Sequence, residues 1–420
     1  MMTEDRDSLL FPYRILELAG EKSCLCGKMM GDMGADVIKI EPPGGDAARA
    51  IGPFYQDEPD PEKSLYWFSY NANKRGITLN LECQEGQEIF KDLVKTADAV
   101  IESYPPGYMA ELELGYEDLC RVKPDIIVTS ISPFGQDGPY RHYKGSDMVC
   151  WAMGGMMYLC GDPDRPPVQV SFPQAYLHAA ADGAAATIMA VYHRNLTKEG
   201  QQVDVSAHAC TSWTLMQAAE TWSINRMNVK RAGIYRDRPA IKAKDRQIWE
   251  CKDGYVHFLL LGGAAGASFM PQVTRWLEEE GLATAWLSEV DWVKGFDSYL
   301  LKPEDYEQIE GPLSEFFRRF TKKELYQKAI RNKVQLYPVL NAEEILENEQ
   351  LKSRDFWKDV EHPELGTVIV YPGPAIKLSE TPLSLRCRAP YMGEHNEEIY
   401  IGELGVSRER LEALKQQGVI

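Results

Sequence analysis

Hydrophobic and polar residues alternate in two periodicities over the first 150 residues, one typical of strands and one of amphipathic helices. Strand patterns at Arg14–Leu18 and Asp36–Glu41 enclose Ser23–Met33, which is helix-like with Met and Leu on one face. The alternation continues as strand, helix, strand, short helix and strand at Ile77–Leu81, Glu85–Lys95, Ala99–Glu102, Tyr116–Arg121 and Asp125–Ser132. This repeated β-α-β order predicts an α/β fold with a largely parallel, Rossmann-like sheet covered by helices on both faces.

The rest of the pattern predicts a long helix, a change of character and a return to strands. Gln174–His193 is rich in alanine and predicts a helix, with a strand at Gln202–Ser206 after it. We expect that helix to bury Leu177, Ala181, Ala184, Ile188 and Val191. After about Asn225 the chain is basic and rich in loop residues, which is typical of a linker into a second, smaller domain. Later strands and a final helix are predicted at Ile248–Cys251, Tyr255–Leu260, Val334–Val339, Thr367–Tyr371 and Arg408–Gln416.

Net charge limits the partners that the chain can have. Its 46 Lys and Arg residues and 63 Asp and Glu residues give a formal charge of −17 at pH 7, which repels nucleic acid and anionic membranes. The acidic first residues, MMTEDRDSLLFPYR, lack the basic and apolar regions of a signal peptide, and no stretch is apolar enough to span a bilayer. We therefore expect a cytoplasmic protein that binds neither nucleic acid nor membrane.

Motifs argue against two common cofactor classes. The nine cysteines are scattered among apolar residues, which favours reduced thiols, and Cys24 with Cys26 form an isolated C-x-C that is a poor zinc signal. A Rossmann dinucleotide site needs G-x-G-x-x-G after the first strand, but this turn is AGEKSCLCG (19–27). We expect no bound metal and no permanently bound cofactor.

Three turns and one residue pair are candidate functional positions, each with a structural alternative. Pro42–Asp46 follows a strand, where α/β proteins bind ligands, or it is only a stiff turn. Asn73–Arg75 is a candidate phosphate contact or a solvated turn. Gly262–Gly266 lacks the Lys-Ser/Thr of a phosphate loop and favours a strand-to-helix turn. His178 and Asp182, four residues apart, are an acid–base pair or, as we favour, a satisfied histidine and a loop contact.

Seven motifs, in this order and at these spacings, extend over nearly the whole chain: MGADVIKIEPPGGD (33–46), NANKRGITLNL (71–81), ADAVIESYPPG (97–107), LGYEDL (114–119), PDIIVTSISPFGQDGPY (124–140), TKEGQQVDVS (197–206) and APYMGEHNEE (389–398). Together they resemble the class III CoA-transferases, the family of formyl-CoA transferase and carnitine CoA-transferase. Each motif alone is weak, and their combination is specific.

The resemblance implies a fold and a mechanism. It implies a large α/β domain formed by both chain ends, residues 1–224 and 335–420, a small middle domain with linkers, residues 225–334, and two subunits interlocked as a dimer. It also implies that the substrates are coenzyme A thioesters. In the family an aspartate forms a mixed anhydride with the acyl group and then a thioester with CoA, because only a carboxyl group can carry both.

The chain departs from the family at the position of that aspartate. The family places it eleven positions into a segment that starts Pro-Pro, here Pro166, and eighteen before the arginine of R-x-x-T-x-x-G-Q, here Arg194; both counts reach Tyr176. A phenol with a pKa of about 10 is neutral at pH 7 and cannot replace a carboxylate. The resemblance therefore implies no catalytic residue in this chain. The α-methylacyl-CoA racemases of the family need a histidine, which falls at Ser146, as well as the aspartate, and are disfavoured.

Other family positions concern CoA. Those expected to lie at the CoA site are Lys22, Ser23, Leu79, Asn80, Ser103, Tyr104 and Lys144. Two basic positions common in the family are occupied here by Pro42 and Glu111, which should weaken contact with the CoA phosphates.

These features lead to the hypothesis of a catalytically silent subunit in a heteromeric class III CoA-transferase, paired with a homologous chain that carries the aspartate. Within the family, the two-subunit benzylsuccinate CoA-transferases look most similar, which implies transfer of CoA from succinyl-CoA to an aryl-substituted succinate. One alternative is a self-sufficient enzyme whose carboxylate has moved, with Asp162, Asp164 and Asp182 as candidates. Another is a protein that binds CoA thioesters without turnover.

Overall fold

The computed structural model describes residues 8–18, 20–236, 245–261, 263–292, 294, 296 and 303–420. The chain divides into two compact units. The first contains the chain up to Met156, Val170–Thr214 and Glu349–Ile420, and the second contains Met157–Gln169 and Leu215–Asn348.

A parallel sheet organises the first unit. Its strands in the described chain are β1 (Arg14–Leu18), β2 (Asp36–Glu41), β3 (Lys74–Thr78), β4 (Ala99–Glu102), β5 (Ile127–Ser132) and β6 (Gln201–Ser206). They lie in the order β3-β2-β1-β4-β5-β6, and each neighbouring pair is parallel. The sequence-based prediction of an α/β fold with a parallel sheet is therefore confirmed. The strand order reverses between β1 and β4, which opens a crevice at their carboxyl ends.

The helices up to β6 and directly after it are α1 (Cys24–Asp32), α2 (Leu65–Asn71), α3 (Gln84–Thr96), α4 (Tyr108–Glu111), α5 (Tyr116–Val122), α6 (Asp147–Met153), α7 (Met156–Leu159), α8 (Gln174–Thr197) and α9 (Ala207–Trp213). Three of them begin with a serine cap: the hydroxyl groups of Ser64, Ser146 and Ser206 accept hydrogen bonds from the third helical residue of α2, α6 and α9. These caps satisfy amides that the helix itself leaves unpaired, and so they set where each helix starts.

Helices cover both faces of the sheet. Leu16 and Leu18 of β1 pack on one face with a core that includes Phe90 and Leu93 of α3. Ile15 faces the other side, into a core that includes residues of α1 and α8 such as Met30. Alternate residues of each strand thus enter different cores, as the period of two in a strand requires.

Two local predictions differ from the structure. The strand expected at Ile77–Leu81 is β3, which starts earlier, at Lys74. The buried face of α8 consists mainly of small residues, namely Ala175, Tyr176, Ala179, Ala180, Gly183, Ala184, Thr187, Ala190, Val191 and Arg194. Of the expected core positions, Ala184 and Val191 are buried, whereas Leu177, Ala181 and Ile188 are only partly buried, with Ile188 packed against the core. An alanine-rich helix has little contrast between its faces, and its neighbours decide which one packs.

The second unit contains α10 (Met216–Asn225), β7 (Tyr235–Arg236), β8 (Asp245–Arg246), β9 (Ile248–Cys251), β10 (Gly254–Phe258), α11 (Gly263–Ala267), α12 (Met270–Glu279), α13 (Ala285–Glu289), α14 (Pro303–Arg319), α15 (Lys322–Asn332), β11 (Leu336–Pro338) and α16 (Ala342–Leu346). Strands β11, β10 and β9 form an antiparallel sheet. Its core is aromatic, with Trp249, Phe258 and Phe317 in edge-to-face contact.

The chain returns to the first unit with α17 (Glu349–Ser353), β12 (Trp357–His362), β13 (Thr367–Pro372), a π-helix (Glu397–Glu403) and α18 (Arg408–Gln416). Strands β12 and β13 form an antiparallel hairpin. The hydroxyl of Tyr400 donates to the carbonyl of Thr78 over 2.7 Å, which fastens the C-terminal segment to the end of β3.

A buried ion pair links β1 and β3. Lys74 Nζ lies 2.6 Å from Glu17 Oε2, and the ammonium also donates to the carbonyl of Cys24 and to Asn71 Oδ1. Both side chains are fully buried. The neighbouring Arg75 is held by Asp36, Glu398 and Glu403. Asn73–Arg75 is therefore neither a solvated turn nor a free phosphate contact, because its cations already bind carboxylates.

We expect Lys74→Met to lower the free energy of unfolding by about 3–5 kcal/mol, since it leaves the Glu17 carboxylate buried without its cation. Urea denaturation followed by circular dichroism measures this loss. The matched control is Lys95→Met, which removes an exposed ion pair with Asp92 and should cost less than about 1 kcal/mol. Equal, small losses in both variants would contradict the importance of the buried pair.

Candidate active site

The candidate site lies at the carboxyl ends of β1 and β4, where the strand order reverses. The turn after β1 contains Gly20, Lys22 and Ser23, and the turn after β4 contains Ser103 and Tyr104. The two turns touch: a Cβ atom built on Gly20 would lie 3.3 Å from Ser103 Oγ, and Gly20 has a φ of +78°. Glycine suits this position because its backbone is left-handed and its neighbour is close.

A buried carboxylate supports the first of these turns. Asp46 Oδ2 accepts the backbone N–H of Gly20 over 2.8 Å and lies 3.0 Å from Lys39 Nζ. Burial alone would raise the pKa of the Asp46 carboxyl, but Lys39 and the amides of Ala48 and Gly20 outweigh it and lower that pKa to about 2. Asp46 is therefore charged over the physiological pH range.

A second buried carboxyl supports the turn after β4. Glu102, 5% exposed, accepts the backbone N–H of Tyr104 over 2.7 Å and also bonds Ser130. Burial raises the pKa of Glu102 to about 7, against the opposing effects of the Ser130 and Tyr104 hydrogen bonds and of Lys22. This carboxyl therefore changes charge near neutral pH.

Tyr176 lies in the first turn of α8, facing the turn after β1. Its hydroxyl donates to the carbonyl of Gly145 over 3.2 Å, and its ring centre is 5.9 Å from Lys22 Nζ. Its side chain is largely buried, and burial raises the pKa of the phenol above its ordinary value of 10. The residue at position 176 is therefore a neutral hydroxyl group at pH 7.

Two further acidic residues face Tyr176, and sequence reasoning missed both. Asp147, in α6, accepts the backbone N–H of Tyr176 over 2.9 Å and those of two preceding residues, so it caps α8 from outside the helix. Glu21 precedes Lys22. Burial and the charges of Asp147 and Asp46 raise the pKa of Glu21, while Lys22 lowers it.

The sequence signal for Asp46 and Glu102 was their position at or just after the end of a parallel strand.

The residues expected to contact CoA do not all lie together. Lys22, Ser23, Ser103 and Tyr104 meet in the two turns at the ends of β1 and β4. Lys144 is exposed and precedes Gly145, the acceptor of the Tyr176 hydroxyl.

Leu79 and Asn80 follow β3, two strands from β1. The Leu79 side chain belongs to the core, and the Asn80 amides donate to the carbonyls of Val419 and Gly418.

The other candidates have structural partners. His178 is close to Asp147, whereas Asp182 contacts the thiol of Cys210 in α9, so the two do not form an acid–base pair. Gly262 lies outside the described residues, and Gly263–Ala267 forms α11, as expected for a strand-to-helix turn. A Cβ atom at Gly266 would come within 1.9 Å of the Leu261 carbonyl oxygen, which explains the glycine there.

Within the described part of the chain, no group of three or more His, Cys, Asp or Glu side chains is arranged to hold a metal ion. None of its helices combines the length and the apolar character needed to cross a bilayer.

Comparison with known proteins identifies the family. The sequence profile of CoA-transferase family III matches residues 18–396. The chain is 33% identical over 409 residues, 97% of each chain, to succinyl-CoA:(R)-benzylsuccinate CoA-transferase subunit BbsE of Thauera aromatica. It is 27% identical over 398 residues, 94% of each chain, to the succinyl-CoA–L-malate CoA-transferase beta subunit of Chloroflexus aurantiacus.

The fold agrees with a solved structure. A CaiB/BaiF family protein from Brucella suis superposes with a TM-score of 0.81 at 26% identity, over 94% of this chain and 99% of that chain. The chain belongs to CoA-transferase family III, whose activity is CoA transfer and whose substrates are CoA thioesters. The family predicted from the seven motifs is confirmed, as is the likeness to a subunit of a benzylsuccinate CoA-transferase.

Glu102 should make stability depend on pH. Its pKa of about 7 in the folded chain exceeds the ordinary 4.5, so the folded state binds the extra proton and this group's contribution to stability falls as pH rises from about 4.5 to about 7. The variant Glu102→Gln keeps an acceptor for the Tyr104 amide but cannot titrate. We expect its free energy of unfolding, relative to that of wild type, to increase by about 3 kcal/mol from pH 5 to pH 8.

Urea denaturation of both proteins at the two pH values measures the difference. Glu88→Gln, the same change at an exposed position of α3, controls for the loss of one negative charge. A difference between wild type and Glu102→Gln that is the same at both pH values would refute this role of Glu102.

Proposed function

We propose that this chain is the catalytically silent subunit of a heteromeric class III CoA-transferase and acts with a homologous chain that carries the nucleophilic aspartate. The observation that carries the proposal is the neutral phenol of Tyr176 at the family's nucleophile position, buried and donating to Gly145. A covalent acyl carrier must form an anhydride with the acyl group and a thioester with CoA, and a phenol can form neither.

The contacts of Tyr176 support a stably packed side chain at position 176 rather than a disrupted site. Its amide is held by Asp147 and its hydroxyl by Gly145, and Lys22 lies over its ring. The first turn of α8 is thus ordered without a carboxylate at position 176. In the proposal, this chain shapes the pocket walls and holds its partner, while the chemistry occurs in the homologous chain.

An exposed apolar face supports a protein partner. Met189, Tyr192 and Leu196 recur at helical spacing on the outer face of α8 and are 65–69% exposed, and Trp213 at the end of α9 is 67% exposed. Monomeric soluble proteins rarely leave such large side chains grouped in water. Two relatives, BbsE and the malate enzyme's beta subunit, are themselves named as subunits. We propose that this face binds the homologous chain in an interlocked dimer or a heterotetramer.

The names of relatives support a substrate class. Both act with succinyl-CoA, and the acceptors in their names are benzylsuccinate and malate, which are succinate-type acids. We propose transfer of CoA from succinyl-CoA to an aryl-substituted succinate, in the cytoplasm, within aromatic hydrocarbon degradation. CoA contact through Lys22, Ser23, Leu79, Asn80, Ser103, Tyr104 and Lys144 belongs to the same proposal.

A second candidate is a self-sufficient transferase whose carboxylate has moved. The specific observation is Glu21, an exposed residue with a partly desolvated carboxyl that lies in electrostatic contact with Tyr176 and Lys22. Asp182 lies six residues after Tyr176 in α8, about 9 Å from it by helical rise, and contacts Cys210. Loss of CoA transfer in the purified chain on Glu21→Gln would favour this candidate.

Affinity purification of the tagged chain from its native cells, followed by native mass spectrometry, tests the subunit proposal. We expect a one-to-one complex with a second family III chain that carries aspartate at the position equivalent to Tyr176. The expected homodimer of a self-sufficient enzyme has twice the chain mass of 47.5 kDa. A homodimer with transferase activity would refute the proposal.

Tyr176→Asp tests whether the nucleophile is all that the chain lacks. We expect the variant alone to remain below about 1% of the complex's kcat, because the pocket also departs from the family at Pro42 and Glu111. Tyr176→Phe is the matched control, and it should leave the activity of the complex unchanged within about twofold. Full activity of Tyr176→Asp alone would mean that the site is otherwise complete, against a dedicated silent subunit.

A further inference from the structure

The conformation of the turn between β1 and α1 depends on how Gly20 is held. The N–H of Gly20 donates to Asp46 Oδ2 over 2.8 Å. Its carbonyl accepts from the amide of Ser23 over 3.3 Å and from the thiol of Cys24 over 3.2 Å. Its φ is +78°, and Ser103 limits the space beside it. With both polar groups of Gly20 engaged, the path of the chain through residues 20–23 depends on the Asp46 carboxylate.

Asp46 is itself held independently of any ligand. It is 6% exposed, its Oδ1 accepts the amide of Ala48 over 2.8 Å, and its own amide donates to Glu41 Oε2 over 2.9 Å. Its ionic partner Lys39, in β2, is fully buried, with Nζ 3.0 Å from Asp46 Oδ2 and 6.0 Å from the ring centre of Trp67. A charge pair of this kind, out of water and anchored on a central strand, keeps its geometry.

The turn carries Lys22 into the crevice. Its Nζ lies 5.9 Å from the ring centre of Tyr176 and is close enough to Glu102 to lower the pKa of that carboxyl. Within the described chain, no carboxylate oxygen comes within 4 Å of this ammonium, in contrast to Lys39 and Lys74. Lys22 therefore remains able to bind an anionic group of a ligand. A lysine side chain is flexible, so where its ammonium can reach depends on how residue 22 is placed.

We propose that Asp46, fixed by Lys39, is a positioning residue for the CoA-thioester site: it holds the Gly20–Ser23 turn so that Lys22 meets an anionic oxygen of the bound thioester. This inference rests on the proposed function. Asp46 does not touch the ligand and acts through Gly20. The anionic oxygen belongs to a phosphate of CoA or to the free carboxylate of a dicarboxylic acyl group, and both would be recognised by the same ammonium.

A double-mutant cycle tests the coupling between Asp46 and Lys22. Isothermal titration calorimetry with coenzyme A and with succinyl-CoA is performed on the assembly in which the chain is purified, and the stoichiometry separates its sites from a partner's. We expect Asp46→Asn and Lys22→Met each to weaken binding about tenfold, and the double variant also about tenfold rather than a hundredfold. Equal losses for both probes would assign Lys22 to a phosphate, and a loss confined to succinyl-CoA would assign it to the acyl carboxylate.

The matched control is Asp36→Asn at the opposite, amino end of the strands. It breaks the ion pairs of Asp36 with Arg14 and Arg75 and leaves the Gly20 turn intact. It should lower the melting temperature and leave the dissociation constants unchanged. If Asp46→Asn does not fold, Lys39→Met replaces it in the cycle.

Three results would overturn the inference: losses that multiply in the double variant, an equal loss of affinity in Asp36→Asn, or no binding by the wild-type chain. The subunit proposal is decided separately by the mass of the purified assembly. A homodimer would refute that proposal and leave the outcome of this cycle fully informative.

Discussion

The reversal of strand order between β1 and β4 is the constraint on which the site depends. The connection after β1 leads to β2 on one side, and the connection after β4 leads to β5 on the other, so the two turns diverge and leave a crevice between them. Lys22 enters this crevice from the first turn, Ser103 and Tyr104 border it from the second, and Tyr176 faces it from α8. Everything the site can bind or do follows from what these turns and one helix terminus present.

Buried charges hold the strands and turns around this site in place. Lys74 with Glu17 joins β3 to β1. Lys39 in β2 pairs with Asp46 just after β2, and Asp46 in turn accepts the amide of Gly20 in the turn after β1. Removing one partner of such a pair leaves an uncompensated charge in a medium of low polarity, which makes the pairing strict. Asp46 and Glu102 have the same geometric task, since each accepts a backbone amide of a turn at the crevice. They differ in charge state because Asp46 has a cation beside it, whereas Glu102 is mainly desolvated.

At position 176 the backbone conformation does not depend on the side chain that the residue carries. The amide of Tyr176 is bound by Asp147, and this cap does not depend on which side chain follows it. The fold can therefore keep the first turn of α8 in place whichever side chain stands at position 176, as the proposed replacement of the family's nucleophile by a phenol requires. In the proposed silent subunit, the pocket walls and the exposed apolar face of α8 are the features that would serve a partner.

By itself the sequence determined the α/β class, most strands and helices and the family, because periodicity and motif spacing are local properties. Strands such as Arg14–Leu18 and Asp36–Glu41 have the predicted bounds. Only the tertiary structure decided the rest. The pairing of Lys74 with Glu17 joins residues 57 positions apart, so Asn73–Arg75 resembled a polar turn. Which face of the alanine-rich α8 is buried depends on the helices packed against it, and the supporting roles of Asp46 and Glu102 arise only when distant turns meet at one edge of the sheet.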